Sequence, residues 1–247
     1  MSAHAPAACL YGVGLGPGDP ELITIRATKI LARVPVVASF AKKGASGRAR
    51  AIITRWVSGS CRHLALDYPV TTELSFCDTA YVTQLHSFYE HAARLIAAHL
   101  LDGQDVAVVC EGDPFFYGSF IHLYVRLRDR FQIEIVPGVT GISGCWSAAK
   151  APIASGDDVL SILPGTLGDA ALASHLTTSD AAVIIKIGAN LAKIRNAVAH
   201  AGRLSQALYV EYGTSEAQIV LPLAGKMDDR APYFSLILIP GRGRQYE

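Results

Sequence analysis

Charge of either sign is scarce in this chain. Lysine and arginine number 22, aspartate and glutamate 21, so charged residues make up 17% and the formal net charge is +1. No overall basic field exists to draw the protein onto nucleic acid or an anionic membrane surface. A polyanionic ligand therefore needs a local group of cations. Cysteine is sparse too. Cys9, Cys61, Cys77, Cys110 and Cys145 are odd in number, scattered, without Cys-x-x-Cys spacing and without a nearby histidine pair. That pattern excludes a disulfide scaffold and a zinc site, and it fits free thiols in a reducing compartment. No apolar run is long enough to span a bilayer. The opening residues carry neither a basic segment nor the apolar stretch of a secretory leader. No repeat or low-complexity tract interrupts the chain. The expectation is a soluble, cytoplasmic protein with no metal, no nucleic-acid partner and no membrane partner.

What is present is apolar surface and turn chemistry. Hydrophobic residues make up 51% of the chain, enough for a well-filled core. Two glycine–aspartate–proline turns stand out. Gly12-Val13-Gly14-Leu15-Gly16-Pro17-Gly18-Asp19-Pro20 follows the apolar run from Cys9. Glu111-Gly112-Asp113-Pro114 follows Val106-Ala107-Val108-Val109-Cys110. Each apolar run reads as a buried strand, and each turn leads to a helix start. In an open parallel sheet ligands bind beyond the C-terminal ends of the strands. Glycine there lets the backbone approach a ligand, and an acid can hold a ribose or an amine. The same turns also read as tight strand-to-helix connections with no ligand. The first one does not fit the dinucleotide fingerprint: its third glycine is misplaced, and Pro17 offers no amide proton to a pyrophosphate. No Walker lysine follows.

Alternation of strands and helices over the first half predicts a mostly parallel sheet. Strands are expected at 10–13, 34–38, 63–66, 105–110 and 132–136. Helices are expected at 21–32 (with Asp19 as N-cap and Pro20 at the first position), 49–57, 78–101 and 117–130. Pro137-Gly138-Val139-Thr140-Gly141 breaks the pattern. The expected organisation is two tandem α/β domains, 1–137 and 138–247. Strands at 159–163, 182–187, 206–211, 218–222 and 234–239 predict a mixed second sheet, with helices at 142–149, 167–175 and 191–201.

Gly-x-Gly-Pro-Gly-Asp-Pro near the start, Gly-Asp-Pro-x-x-Tyr-Gly in mid-chain and Pro-Gly-Val-Thr-Gly after it resemble the tetrapyrrole methylase family, in family order and over essentially the whole chain. Tyr68-Pro69-Val70-Thr71-Thr72-Glu73, Glu111 to Phe120, Gly138 to Trp146, Gly156-Asp157-Asp158, Leu163 to Leu167 and Glu211 to Thr214 resemble the branch that methylates carbon 20 of precorrin-2 to give precorrin-3A in cobalamin biosynthesis. The resemblance implies S-adenosylmethionine as methyl donor, with S-adenosylhomocysteine as product, held in a cleft between the domains. It also implies a tetrapyrrole substrate and a homodimer. Cofactor-binding positions carried over from the family are Pro17, Glu111, Gly112, Asp113, Phe116, Thr140, Gly141, Ile187, Gly213, Thr214 and Ser235. At Ile187 many relatives have methionine, and an apolar contact survives that change. Related uroporphyrinogen methyltransferases carry an acid just after the second strand. Phe40 stands there in this chain, so that proton acceptor does not carry over. Tyr68, Glu73, Asp113 and Glu211 are candidates by residue type alone. Lys42, Lys43, Arg48 and Arg50 concentrate positive charge after the second strand and are expected to hold the substrate's carboxylates. The same residues also read as a solvated basic loop. The competing readings are the same methylation on the cobalt-containing substrate, a nucleotide-dependent oxidoreductase, and a non-catalytic tetrapyrrole carrier.

Overall fold

The computed structural model describes residues 7–42, 44, 47–70, 78–241 and 243. The chain divides into two compact units, 1–140 and 141–247. Each holds one five-stranded sheet.

In the first unit β1 (Cys9–Gly14), β2 (Val36–Lys42), β3 (Arg62–Tyr68), β4 (Val106–Cys110) and β5 (Gln132–Val136) lie in the order β3-β2-β4-β1-β5. Every neighbouring pair is parallel. β1 and β4 are buried along their whole length, which is why both read as unbroken apolar runs. Their side chains alternate between two cores. Tyr11, Val13, Ala107 and Val109 meet α1 (Ile25–Leu31) and α2 (Arg48–Ile53) on one face. Leu10, Val106 and Val108 meet α3 (Thr79–Leu101) and α4 (Phe120–Leu127) on the other. Gly12 belongs to this second face: a Cβ there would stand 2.5 Å from the Phe120 ring. The first glycine of the opening run is thus a packing residue.

Several boundaries differ from the sequence expectation, each for a local reason. The helix expected over 21–32 is split. Asp19 accepts the Glu21 N–H at 2.8 Å and caps a single short turn, Pro20–Leu22. Ile23 and Thr24 are extended, and Thr24 caps α1 afresh by accepting the Ala27 N–H at 3.2 Å. Two good capping residues five positions apart compete, and each keeps its own helix. The helix expected from Tyr117 starts at Phe120, because Tyr117 takes a left-handed φ of 54°. β2 and β3 run on to Lys42 and Tyr68, whose backbones pair. Phe40 and Lys42 therefore lie within a strand, not in a loop after it. The 23-residue α3 begins at the expected Asp78 cap, which accepts the Ala80 N–H at 2.8 Å.

In the second unit β6 (Leu160–Pro164), β7 (Ala181–Ile185), β8 (Leu208–Glu211), β9 (Ile219–Pro222) and β10 (Ser235–Ile239) lie in the order β6-β7-β10-β8-β9. β6 and β7 are parallel; the remaining pairs are antiparallel. α5 (Gly141–Ala148), α6 (Asp169–Thr178) and α7 (Leu191–His200) complete the unit. The parallel first sheet and mixed second sheet are those predicted from the spacing of the elements. The topology brings the C-terminal ends of β6, β7 and β8 and the N-terminal end of β10 to one edge. β7 stops at Ile185 because Lys186 turns left-handed, with φ of 57°.

No helix among the described residues is long and apolar enough to cross a membrane.

Candidate functional site

In the first unit the candidate residues gather where the parallel strands end. The turns after β1 and β4 are tied to each other directly. Gly16 N–H donates to the Gly112 carbonyl at 3.4 Å, and Gly112 N–H returns a bond to the Gly16 carbonyl at 2.7 Å. Leu15 N–H adds a bond to the Cys110 carbonyl at 2.9 Å. The turn after β5 closes on both. A Cβ on Gly14 would stand 2.6 Å from the Gly138 nitrogen and 2.7 Å from the Gly112 oxygen, so these three backbones touch only because side chains are missing. Asp113 Oδ1 accepts the Phe115 N–H at 2.8 Å, and Oδ2 accepts the Gly138 N–H at 3.1 Å. Pro17 and Phe116 are half-buried beside these turns, and Phe116 meets Tyr117 edge-on at 5.0 Å. Thr140 is half-buried at the end of the unit.

Glu111 is half-buried at the end of β4. Burial pushes its carboxyl above the ordinary value of 4.5, opposed by the Arg48 charge and by a hydrogen bond from the Ala49 backbone at the start of α2. A carboxyl raised in this way gives up stability as the pH climbs through its folded pKa, so its ionised form costs the fold at neutral pH. Glu111→Gln is therefore expected to raise the melting temperature at pH 7, at about 2–4 °C per kcal/mol released. The gain should close as the pH falls below 4.5, where the native carboxyl is neutral as well. Melting curves of both proteins across that range check it.

Of the four expected cations, Lys42 is exposed at the end of β2, Arg50 is exposed on α2, and Arg48 is half-buried with its charge acting on Glu111. Lys43 lies outside the described residues, as does Glu73. Tyr68 ends β3. Its ring stacks on Phe40 with centroids 5.6 Å apart, and its hydroxyl shares a hydrogen bond with Ser119.

In the second unit Ile187, Gly213, Thr214 and Ser235 stand at the single edge where β7 and β8 end and β10 begins. Ile187 is 1% exposed, its side chain belongs to the core, and its carbonyl accepts the Asn190 N–H at 2.8 Å. The turn after β8 is strained: Tyr212 and Thr214 both take left-handed φ angles, 48° and 68°. A β-branched residue in that region is unusual, and such strain clusters at ligand sites. Tyr212 N–H holds the Phe234 carbonyl at 2.8 Å, and Thr214 N–H holds Gln218 Oε1 at 2.9 Å. Gly213 presses on Cys145 of α5, whose Sγ would be 2.6 Å from an added Cβ. Gly141 opens α5, and a Cβ there would meet nothing within 4 Å.

Glu211, a base candidate by residue type, is engaged in packing. It is 8% exposed, accepts the Tyr209 hydroxyl at 2.6 Å and pairs with Lys226 at 3.3 Å. Burial, and then Glu211, hold the Tyr209 hydroxyl well above the ordinary tyrosine range. Sequence reasoning missed this pair, although Tyr209 and Glu211 stand two apart on one strand and so share a face. Ser119 and Cys145 lie inside the motifs quoted for the resemblance, but their contacts with Tyr68 and Gly213 were not foreseen. Burial raises the Cys145 thiol to about 11 and the Cys110 thiol to about 12, so neither is a ready nucleophile. Among the described residues no group of histidine, cysteine or carboxylate side chains is placed to hold a metal ion.

Comparison with known proteins bears on these turns. Residues 9–227 match the family described as Tetrapyrrole (Corrin/Porphyrin) Methylases. A precorrin-2 C(20)-methyltransferase of Sinorhizobium sp is 54% identical over 232 residues, covering 94% of this chain and 95% of the relative. A cobalt-precorrin-2 C(20)-methyltransferase of Salmonella typhimurium is 29% identical over 233 residues, covering 93% and 95%. Among solved structures, a uroporphyrin-III C-methyltransferase of Thermus thermophilus in complex with S-adenosylhomocysteine superposes with a TM-score of 0.64 at 22% identity, covering 94% and 96%.

Proposed function

Because the chain belongs to the tetrapyrrole methylase family, we propose that it methylates precorrin-2 at carbon 20, with S-adenosylmethionine as donor, to give precorrin-3A in cobalamin biosynthesis. The observation that carries the reading is full-length similarity, at 54% identity, to a precorrin-2 C(20)-methyltransferase. The cobalt-containing counterpart is the second reading. It is less favoured, since two relatives named for that substrate are 29% identical over 233 residues and 31% identical over 157 residues. A cytoplasmic homodimer is proposed with it, on the family resemblance.

The described residues suit such a donor. Glycine turns hold three backbones in contact at the strand ends, carboxylates stand beside them, and a Cβ on Gly141 would meet nothing within 4 Å. We assign the donor site to the turns that carry Pro17, Glu111, Gly112, Asp113, Phe116 and Thr140 in the first unit and Gly141, Ile187, Gly213, Thr214 and Ser235 in the second. The donor supplies a methyl group already activated on a sulfonium. What remains for the protein is to hold, orient and exclude water. Such positioning supplies about 7–11 kcal/mol in favourable cases. Rigid turns serve it well, because cross-linked backbones reorganise little when ligands arrive.

Lys42, Lys43, Arg48 and Arg50 are assigned to the substrate's carboxylates. Replacing all four by alanine is expected to raise KM for the tetrapyrrole by about 10-fold or more. Affinity for S-adenosylhomocysteine should stay nearly unchanged. The native KM should climb with ionic strength, and that of the variant should not. Steady-state kinetics at two salt concentrations check both. The substrate assignment itself is tested by assaying metal-free and cobalt-loaded precorrin-2 side by side, with calorimetric titration of S-adenosylhomocysteine and of NAD as the control for an oxidoreductase. Methylation of neither substrate would leave the carrier reading in its place.

A further inference from the structure

The two acids of the mid-chain turn are directed differently, and the difference separates their roles. Both oxygens of Asp113 are aimed at main-chain amides. Oδ1 takes the Phe115 N–H within its own turn at 2.8 Å, and Oδ2 takes the Gly138 N–H from the turn after β5, 25 residues further along, at 3.1 Å. Gly138 in turn lies against Gly14 and Gly112. Gly112 exchanges two hydrogen bonds with Gly16. The contacts therefore close a ring: Asp113 to Gly138, Gly138 to Gly14, through Gly16 to Gly112, and back to Asp113. Pro114 fixes the backbone just after the carboxylate and restricts Asp113 to extended conformations. Three connections of the parallel sheet are joined by this ring, and only one member of it contributes a side chain.

We infer that Asp113 is a positioning residue: its carboxylate joins the turns after β4 and β5, sets the main-chain groups that the methyl donor meets, and does not itself grip the donor. The inference rests on the proposed donor site and deepens it. A carboxylate that held a ligand ammonium or ribose would need its oxygens turned toward that ligand. Here the charge-assisted bonds go to amides of the protein. Among the described residues the carboxylate is the acceptor for Gly138 N–H, at a place too crowded for any side chain, so it also settles a local hydrogen-bonding requirement.

The test compares wild type, Asp113→Asn and Asp113→Glu. Asparagine keeps the shape, but its NH2 faces an N–H donor, so only one of the two bonds survives. Glutamate keeps the charge but is too long to serve both amides. The probes are S-adenosylhomocysteine, its 2′-deoxyribose analogue and its analogue lacking the amino group, each titrated calorimetrically. Both variants are expected to lose about 10- to 100-fold in affinity, by the same factor for every probe. A loss that vanishes for one probe would mean that Asp113 grips the group missing from that probe, and would overturn the inference. Full affinity in Asp113→Glu would overturn it also, since charge alone would then suffice. Amide hydrogen exchange on the ligand-free proteins gives an independent reading. Phe115 and Gly138 are expected to lose protection in both variants while the amides of β1 and β4 keep theirs. Unchanged protection at Gly138 would overturn the inference whether or not the donor binds. Failure of wild type to bind any probe would instead count against the proposed function and leave the exchange result standing.

Discussion

Gly138→Ala is expected to abolish binding of S-adenosylhomocysteine and to weaken the first unit. The added methyl would point into the Gly112 carbonyl oxygen, inside van der Waals contact, and would stand 2.9 Å from the Gly14 Cα. None of those atoms belongs to a flexible side chain, so relief requires a shift of backbone. The turns that must shift are held by the paired Gly16–Gly112 bonds and by the Asp113 bridge to Gly138 itself. Overpacking of this kind costs about 1–3 kcal/mol, and more where the neighbours are rigid. The loss of affinity should exceed the loss of stability, because main-chain groups displaced by tenths of an ångström remain folded but no longer face their ligand. Calorimetry and melting of the same sample separate the two. Gly141→Ala is the control: it opens α5 into free space and should melt like the native protein. Native-like binding by Gly138→Ala would mean that the three touching turns are not part of the donor site.

Lys226→Met is expected to destabilise the second unit by about 3–5 kcal/mol, the usual cost of stranding one partner of a buried ion pair. Lys226 Nζ sits 3.3 Å from Glu211 and 4.9 Å from the centre of the Tyr209 ring. Side-chain exposure of 14% for the lysine and 11% for Glu211 places the pair out of water, so the small values typical of surface pairs do not apply. Methionine fills most of the lysine's volume but leaves the Glu211 carboxylate, among the described residues, with the Tyr209 hydroxyl. Denaturant titration at neutral pH reads the size. A deficit below 1 kcal/mol at neutral pH would show that the pair is solvated after all. If Glu211 were a catalytic base, the damage would fall on turnover more than on stability; its packing between a tyrosine and a lysine argues for the opposite balance.

How far the chain could be read before its structure was known depended on the range of each interaction. β1 and β4 were legible because both of their faces are buried, which writes a continuous apolar run into the sequence. The turns after them were legible because glycine, aspartate and proline have few other uses in that order. The expected helix at 21–32 came out in two pieces because a second cap, Thr24, competes with the first, and propensity does not rank one cap over another. The extension of β2 to Lys42 was hidden because it depends on a partner strand rather than on its own residues. The Asp113 bond to Gly138 spans 25 residues and the Lys226 bond to Glu211 spans 15, and neither leaves a local trace. The resemblance implies donor positions; that both carboxylate oxygens of Asp113 accept main-chain amides is legible only in three dimensions.

The order β3-β2-β4-β1-β5 has a consequence for synthesis on the ribosome. The earliest strand occupies an interior place, and both of its neighbours, beginning at Val106 and Gln132, emerge much later. Until then its two rows of amides and carbonyls have no mate, and its apolar faces have little to cover them. Nascent chains stalled before residue 132 should accordingly be sticky and rich in chaperone, while chains carried past Gly138 should shed it.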